Sequence, residues 1–440
     1  LKVPQKRLYQ ISLPLDLKGL MPVAELKRGK KLRYPYPTPR RPSALGDGLQ
    51  RNQFFRSLEK QDQLLHHPFS SFEPVVDLVR FAAEDPHVVR ICQTLYRTSG
   101  KSPILEALVT AAKAGKKVLA LVEVKARFDE ANNLKWARAL EKAGVRVIYG
   151  TPEIKVHAKL TYVERKGTKG GPIREYVHIG TGNYHPATAK YYTDLGILSA
   201  RTEYTSEARK LFDLFEKMDN EDDYSLINKG LEFSKNFNHW VVAPANLQKQ
   251  IIEWIDQETR NAKAGKEAFI HAKMNGLVEE GVIEALYRAS QAGVRVDLLV
   301  RGMCCLRPGV KGLSENIRLR SIIDKYLEHS RVFVFGNAGH AKVWISSADW
   351  MPRNLFRRIE LAVPVLDPLL ANYIQNIFWP IYAGDNVKAR ECLPDGRYIR
   401  KFSLTEETIR AQTCFEEMEV PNFVPIRKSS TSSVATSKSS

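Results

Sequence analysis

The chain has 440 residues, 43% hydrophobic and 26% charged, with 67 Lys and Arg against 49 Asp and Glu for a formal charge of +18. That composition is globular and large enough for two or three domains, which excludes collagen-like, coiled-coil and largely disordered readings. The positive balance favours polyanionic partners: nucleic acid, anionic membrane, nucleotides or inorganic phosphate chains. No stretch approaches the roughly 18 to 20 apolar residues of a membrane-spanning helix, and the opening LKVPQKR lacks the apolar core of a signal peptide. Leu1 in place of an initiating Met sets the expectation that an upstream piece has been removed. Cys92, Cys304, Cys305, Cys392 and Cys414 are scattered and odd in number, as expected of a reducing cytoplasmic setting without disulfides or zinc.

In chain order, residues 1–60 are irregular and rich in basic residues, proline and glycine, which reads as a solvated linker or arm. Strand and helix then alternate. HVVRICQTLYR reads as a strand, ILEALVTAAKAG as a helix ended by Gly115, KVLALVEV as a buried strand, NNLKWARALEKAG as a second helix, and VRVIYG as the next strand. After the polar stretch DNEDDYSLINKG the series begins again with EAFIHAKMN, GVIEALYRASQAG and VRVDLLV. Glu106, Ala107, Leu108, Ala111, Ala114 and Gly115 repeat as Glu284, Ala285, Leu286, Ala289, Ala292 and Gly293, all 178 positions on. A shared packing unit explains these identities, and the succession argues α/β layers in two related halves, 61–235 and 236–425. Residues 426–440 are serine-rich and are expected to be disordered.

Each half then supplies chemistry. IKVHAKLTYV sets His157 and Lys159 two apart on a strand, so both side chains share one face. The next strand, YVHIGTGNYH, delivers Gly180, Thr181, Gly182 and Asn183. In the second half LEHSRVFVFG repeats the interval with His329 and Arg331, and VWISSADW presents Ser346, Ser347 and Asp349. Imidazole is a competent nucleophile toward phosphorus, lysine and asparagine hold phosphoryl oxygens, and glycines allow the backbone to approach them. His271 in FIHAKMN and His340 in GHAKVWI repeat the letters HAK without the following strand, and are read as structural. Arg97, Arg127 and Arg301 each end or follow an apolar strand, where ligands of open α/β sheets sit and a guanidinium suits phosphate.

The pattern of His157, Lys159 and Gly180 to Asn183 resembles the H-x-K and G-x-x-N motif of the phospholipase D superfamily, which implies one active site built from two tandem α/β domains packed as pseudo-repeats. The segments HHPFSSFEPVVDLVR, LYRTSGKSPI, VEVKARFDEANN, HIGTGNYHPATAKYYTDLGILSA, LLVRGMC and ISSADWMPRN are similar, more closely, to the catalytic C-terminal half of the bacterial long-chain polyphosphate kinase family. That resemblance implies reversible transfer of the terminal phosphate of ATP to inorganic polyphosphate through a phosphohistidine. Carried over by motif, His157 is the nucleophile and His329 the second histidine, in contact with nucleotide phosphates. Tyr192 and Arg301 resemble nucleotide contacts, with Lys159 and Asn183 on phosphate. Asp194 is a candidate to orient an imidazole. Arg97 and Arg127 are similar to the family's Mg²⁺-associated positions, and being cations they are expected to act through phosphate oxygens. The resemblance implies that residues 1–60 hold a remnant of an upstream domain and a basic, proline-rich linker, with the insert from Lys27 to Pro42 atypical of the family; it is compatible with a homo-oligomer and peripheral attachment to the inner membrane, and it makes nucleic-acid binding incidental. Two alternatives carry different chemistry: a phospholipase D-like phosphodiesterase or nuclease, and a catalytically incomplete fragment that only binds polyanions.

Overall fold

The computed structural model describes residues 17–20, 22–23, 26–35, 38–95, 102–123, 130–149, 155–167, 170–221, 231–400 and 407–418. The serine-rich tail and both Arg97 and Arg127 lie outside them. The chain divides into two compact units, residues 1–38 and 39–440. The first holds two short 3₁₀ turns, Leu17–Leu20 and Lys27–Leu32.

Two mixed sheets organise the larger unit. The first contains β1 (Gln63–His67), β2 (Val88–Leu95), β3 (Lys117–Val122) and β4 (Arg146–Tyr149). After the two-residue β5 (Lys155–Val156) it is completed by β6 (Lys159–Arg165), β7 (Arg174–Gly180) and β8 (Tyr192–Ser199), in the order β1-β8-β7-β6-β2-β3-β4. In the second half come β9 (Val241–Ala243), β10 (Phe269–Met274), β11 (Arg295–Val300), β12 (Ile317–Ile322), β13 (Leu327–Glu328), β14 (Val332–Phe335), β15 (Lys342–Ser346), β16 (Arg358–Pro364), β17 (Ala389–Cys392) and β18 (Tyr398–Ile399). Their central order, β12-β11-β10-β14-β15-β16, repeats β4-β3-β2-β6-β7-β8 strand for strand. Strands β2, β3 and β4 are parallel, as are β10, β11 and β12, because helices cross between them. Strands β6, β7 and β8 extend the first sheet, and β14, β15 and β16 the second, through antiparallel pairs.

The 178-residue repeat falls on this scaffold. Helices Pro103–Lys113 and Glu280–Gln291 both run into a glycine of positive φ, Gly115 at 80° and Gly293 at 92°, where only glycine turns into the next strand without strain. A central core joins the two halves, with Leu160, Ile197 and Phe212 of the first beside Val332, Ile345 and Phe378 of the second. Separate clusters fill the outer side of each sheet.

Residues 51–60 depart from the expected linker. They form a helix, Arg51–Lys60, whose Phe54, Phe55 and Leu58 are buried in the outer core of the first half. Three such side chains at helical spacing each contribute roughly 1.5–3 kcal/mol on burial, which offsets the entropy of ordering one short helix. The charged and proline-rich residues before them masked that stripe. Among the described residues no helix is long and apolar enough to cross a membrane.

Candidate active site

Two short strands leave their own half and join the sheet of the other. Strand β5 pairs in parallel with β16, Lys155 opposite Arg358 and Val156 opposite Ile359. The N–H groups of His157 and Ala158 then donate to the Ile359 carbonyl at 3.0 and 2.9 Å. Strand β13 makes the mirror move, pairing with β8 so that Leu327 faces Tyr192 and Glu328 faces Thr193. His329 N–H donates to the Thr193 carbonyl at 3.2 Å. In both places the histidine follows the exchanged strand and a carboxylate follows its pairing partner. His157 therefore meets Glu360, and His329 meets Asp194.

The two pairs share a plan. His157 Nδ1 lies 2.8 Å from Glu360 Oε2, and Ser347 Oγ donates to that same oxygen at 2.5 Å. Ser347 Oγ in turn accepts from Leu361 N–H at 3.0 Å, so its hydrogen faces the carboxylate. His329 Nδ1 lies 2.9 Å from both oxygens of Asp194, whose Oδ1 accepts from Thr181 Oγ at 2.6 Å. Thr181 Oγ accepts from Leu195 N–H at 3.0 Å. Ser347, Glu360 and Leu361 thus repeat Thr181, Asp194 and Leu195. The cations follow suit, Lys159 Nζ donating to the His157 carbonyl and Arg331 Nη1 to the His329 carbonyl, the latter at 2.8 Å. A Cβ at Gly182 would run into the Asp194 carboxylate, which gives that glycine a steric purpose.

Electrostatics separate the pairs. Burial, reinforced by the charges of Lys159, Arg358 and Arg331, holds His157 well below the ordinary histidine range, so its imidazole is neutral. Burial also raises Glu360, against the pull of Lys159, Arg358 and the Ser347 hydroxyl. Asn354 Nδ2 donates to Glu360 Oε1 at 2.6 Å, so with Ser347 and His157 the group receives three donors and acts as an acceptor. His157 then carries its proton on Nδ1 and presents the Nε2 lone pair. His329 is lowered by burial and raised in part by Asp194. Burial pushes Asp194 up, but His329, Thr181 and Arg331 outweigh it and leave the carboxylate below its ordinary value.

The second half is not an exact copy. Where the first has Asn183 the second has Asp349, which binds Arg331 through two contacts, Nε to Oδ1 at 3.1 Å and Nη2 to Oδ2 at 3.2 Å. Asn275 also donates to Asp349, from its backbone at 2.8 Å and its side chain at 3.0 Å. Against burial, these partners hold Asp349 far below the carboxylate range. Arg301, just past β11 as its place in the sequence implies, donates from Nε to Asn275 Oδ1 at 3.1 Å and to the Glu328 carbonyl at 2.7 Å. Tyr192 sets its ring 5.1 Å from that of His329. Asn183 lines a small cavity with Gly182 and Asp194.

The structure thus gathers His157, His329, Lys159, Tyr192, Asp194 and Arg301 about one centre, while Arg97 and Arg127 fall outside the described residues. His271 stacks on Trp379, ring planes 5° apart at 4.7 Å, and His340 follows the 3₁₀ turn between β14 and β15. Glu360 and Asn275 were not singled out in the sequence. A signal for Glu360 existed: it is the one acid within the apolar run IELAV, and Glu360-Leu361 repeats Asp194-Leu195. Asp194, Asp349 and Glu360 are engaged by His329, Arg331 and His157, and no group of three His, Cys, Asp or Glu side chains able to hold a metal occurs among the described residues. These side chains do not fit a protein-held Mg²⁺.

Comparison with known proteins assigns the architecture. Residues 53–221 match the family model described as polyphosphate kinase C-terminal domain 1, and residues 240–412 match domain 2. Over 429 residues the chain is 44% identical to a polyphosphate kinase of Bacillus anthracis, an alignment covering 96% of this chain and 58% of that protein. The crystal structure of polyphosphate kinase from Porphyromonas gingivalis superposes with a TM-score of 0.79 at 36% identity, covering 90% of this chain and 58% of that one. The phosphatidylserine synthase of Haemophilus influenzae shares the fold alone, with a TM-score of 0.51 at 9% identity over 82% of this chain and 90% of its own. The chain spans about half the length of the polyphosphate kinases it matches. With both C-terminal domain models matched in order on two repeated α/β halves, the chain belongs to the polyphosphate kinase family.

Proposed function

We propose that this chain carries out the phosphoryl-transfer chemistry of a polyphosphate kinase: reversible movement of the γ-phosphate of ATP to inorganic polyphosphate through phosphorylated His157. The observation that carries the reading is the crossed pair of imidazoles, each oriented through Nδ1 by a carboxylate of the opposite half. In the first half-reaction His157 Nε2 attacks the γ-phosphorus. The N–P bond forms as the bond to the β,γ-bridging oxygen breaks, and ADP departs with that electron pair. Positive charge growing on the imidazole is met by Glu360 through the Nδ1 hydrogen. In the second half-reaction a terminal oxygen of polyphosphate attacks the same phosphorus, and Nε2 leaves as neutral imidazole.

Catalysis of this kind rests on positioning and charge. Lys159 and Asn183 contact the transferred phosphoryl group, while His329, Tyr192 and Arg301 contact the nucleotide. Burial holds Lys159 well below the ordinary lysine range, and an anionic phosphate brought against it favours the charged form. Arg97 and Arg127 act on phosphate oxygens, including those that carry the nucleotide's Mg²⁺. A cytoplasmic location, homo-oligomeric assembly and peripheral attachment to the inner membrane complete the reading, the latter two checked by light scattering and by flotation with anionic vesicles.

The test is incubation with γ-labelled ATP and Mg²⁺. Acid-labile, base-stable label on the protein, lost in His157→Ala and chased into polyphosphate, supports the reading. Polyphosphate binding with no label overturns it in favour of a polyanion-binding fragment. Hydrolysis of a phosphodiester without nucleotide overturns it in favour of the diesterase.

A further inference from the structure

Behind His329 lies a polar network that the phosphoryl chemistry leaves unused. Glu328, the residue before it, is 4% exposed and receives three side chains: Lys273 Nζ at 2.8 Å, Thr193 Oγ at 2.8 Å and Gln412 Nε2 at 2.7 Å. Lys273 also donates to Ser330 Oγ at 2.7 Å, so the residues on both sides of His329 are fastened to one ammonium. Gln412 is 1% exposed and belongs to the helix Ala411–Glu417, 84 residues beyond Glu328. Its Oε1 accepts from Tyr326 N–H at 2.8 Å and its Nε2 donates to the Tyr326 carbonyl at 2.9 Å, imitating a strand partner.

The same segment is tied down on either side. Arg410 binds Asp324 through two contacts, 2.8 and 2.6 Å, and Glu416 accepts from Tyr326 Oη at 2.6 Å. Phe415 packs its ring on His66, Phe69, Phe378 and Tyr382. These contacts converge on residues 324–328, the turn that delivers β13 to the opposite sheet, while Ala411 N–H anchors the same segment to Asp385 at 2.8 Å. Strand β13 is only two residues long and cannot fix its register by its own ladder.

We infer that residues 410–418 form a strap whose Gln412 is a positioning residue for His329, acting through Glu328 and the backbone of Tyr326. Gln412 suits the task because an amide both accepts from the backbone and donates to a carboxylate, which neither Glu nor Leu does at neutral pH. The inference rests on the proposed phosphotransferase reading for its kinetic consequence, but not for the contact itself.

The experiment compares the whole chain with Gln412→Leu and Gln412→Glu by amide hydrogen exchange and by the rate of labelling from γ-labelled ATP. In Gln412→Leu, exchange rises in peptides covering 324–331 and stays unchanged in those covering 155–163, while the labelling rate falls about tenfold with KM for ATP within about threefold. Gln412→Glu behaves like Leu at high pH and regains activity relative to the unsubstituted chain as pH falls, because the protonated carboxyl can donate to Glu328. The titratable and charged groups around the new acid are Glu328, which it meets directly, Lys273 and Tyr382 beside Glu328, and Asp324, Lys325, Tyr326, Asp385, Arg410 and Glu416 on the turn and strap, all of them the same in the unsubstituted chain. Unchanged exchange at 324–331, or raised exchange with an unchanged labelling rate, overturns the inference. Loss of protection at 155–163 to the same extent shows general loosening and overturns it too. If the unsubstituted chain takes up no label, the functional reading fails, and the exchange comparison still decides whether Gln412 holds the turn.

Discussion

Replacing Glu360 by Gln tests the central electrostatic claim. The amide has the size of the carboxylate, so the question becomes which way it faces. Asn354 is fully buried and donates from Nδ2 to Glu360 Oε1, while its own Oδ1 has no hydrogen-bond partner among the described residues. A flip of the Asn354 amide therefore lets the new NH₂ group donate to Oδ1 there. The oxygen of the substituted amide still accepts from Ser347 and from His157 Nδ1. Tautomer and orientation survive, and what is lost is the negative charge facing the developing imidazolium. Two unit charges about 4 Å apart at an effective dielectric near 20 interact by about 4 kcal/mol, which corresponds to about a thousandfold in rate. If the amide instead donates to Nδ1, the wrong tautomer forms and the loss approaches the roughly 10⁴-fold cost of the carboxylate-to-amide change in a Ser-His-Asp triad. The assay is single-turnover labelling from γ-labelled ATP, with melting temperature as a control on folding. A folded Glu360→Gln chain that labels within about threefold of the unsubstituted rate would refute the reasoning.

Gly182→Ala should push Asp194 off His329, because the added methyl occupies the carboxylate's place; labelling should fall by at least about a hundredfold, as from one misplaced catalytic group, and a structure in which Asp194 keeps its contact with His329 would contradict this. Stability should decline as pH falls below about 6.5. His66, His67 and His178 are held below the ordinary histidine value by burial, His178 down to about 3, so the unfolded chain takes up protons first and each residue removes up to about 1.4 kcal/mol per pH unit. Asp62 and Glu360, raised by burial, pull the other way. The net slope is smaller than the histidines alone would give, and a urea midpoint that rises from pH 6.5 to 5.5 would count against the assignment. Phe54→Ala should cost about 3–5 kcal/mol, the range for a fully buried aromatic, read as a lower urea midpoint; a change under about 1 kcal/mol would return residues 51–60 to the status of a linker.

The fold was legible wherever neighbours in sequence are neighbours in space. Strand β3 and the helix before it announce themselves by an apolar run, a helical stripe and Gly115, and the second half repeats them at a fixed interval. His157 and Lys159 were legible as a pair from their two-residue interval, but not on one strand as expected: β5 ends at Val156 and β6 begins at Lys159, so His157 sits in the break where the chain passes from one sheet to the other. Glu360 was not, although it touches His157, because 203 residues separate them and the contact exists only through the pairing of β5 with β16. Helix Arg51–Lys60 was hidden for a different reason. Its apolar stripe is three residues long and sits behind a basic, proline-rich stretch, so composition outweighed periodicity.

The exchange of β5 and β13 bears on why two similar half-sites would perform unequal tasks. Since each imidazole takes its carboxylate from the other half, neither half alone holds an oriented histidine, and the duplicated fold is committed to a single shared centre. Symmetry then ends at the cations. Arg331 is matched by Asp349 through two contacts, and Asn275 and Arg301 extend that network, so the second motif is an internally neutralised frame around His329. The first motif has Asn183 in place of the acid, and Lys159 is turned to the His157 carbonyl. The two motifs therefore meet an incoming anion differently: Arg331 is already paired with a carboxylate, whereas Lys159 is held below the ordinary lysine range by burial and is favoured in its charged form by an anion brought against it. On the proposed reading the nucleophile is the imidazole of His157, which burial holds well below the ordinary histidine range and so in the neutral state that attack on phosphorus requires. Substituting Asp349 by Asn would release Arg331 from its partner and shift that balance, so its effect should appear in the affinity for ATP before it appears in the chemistry at His157.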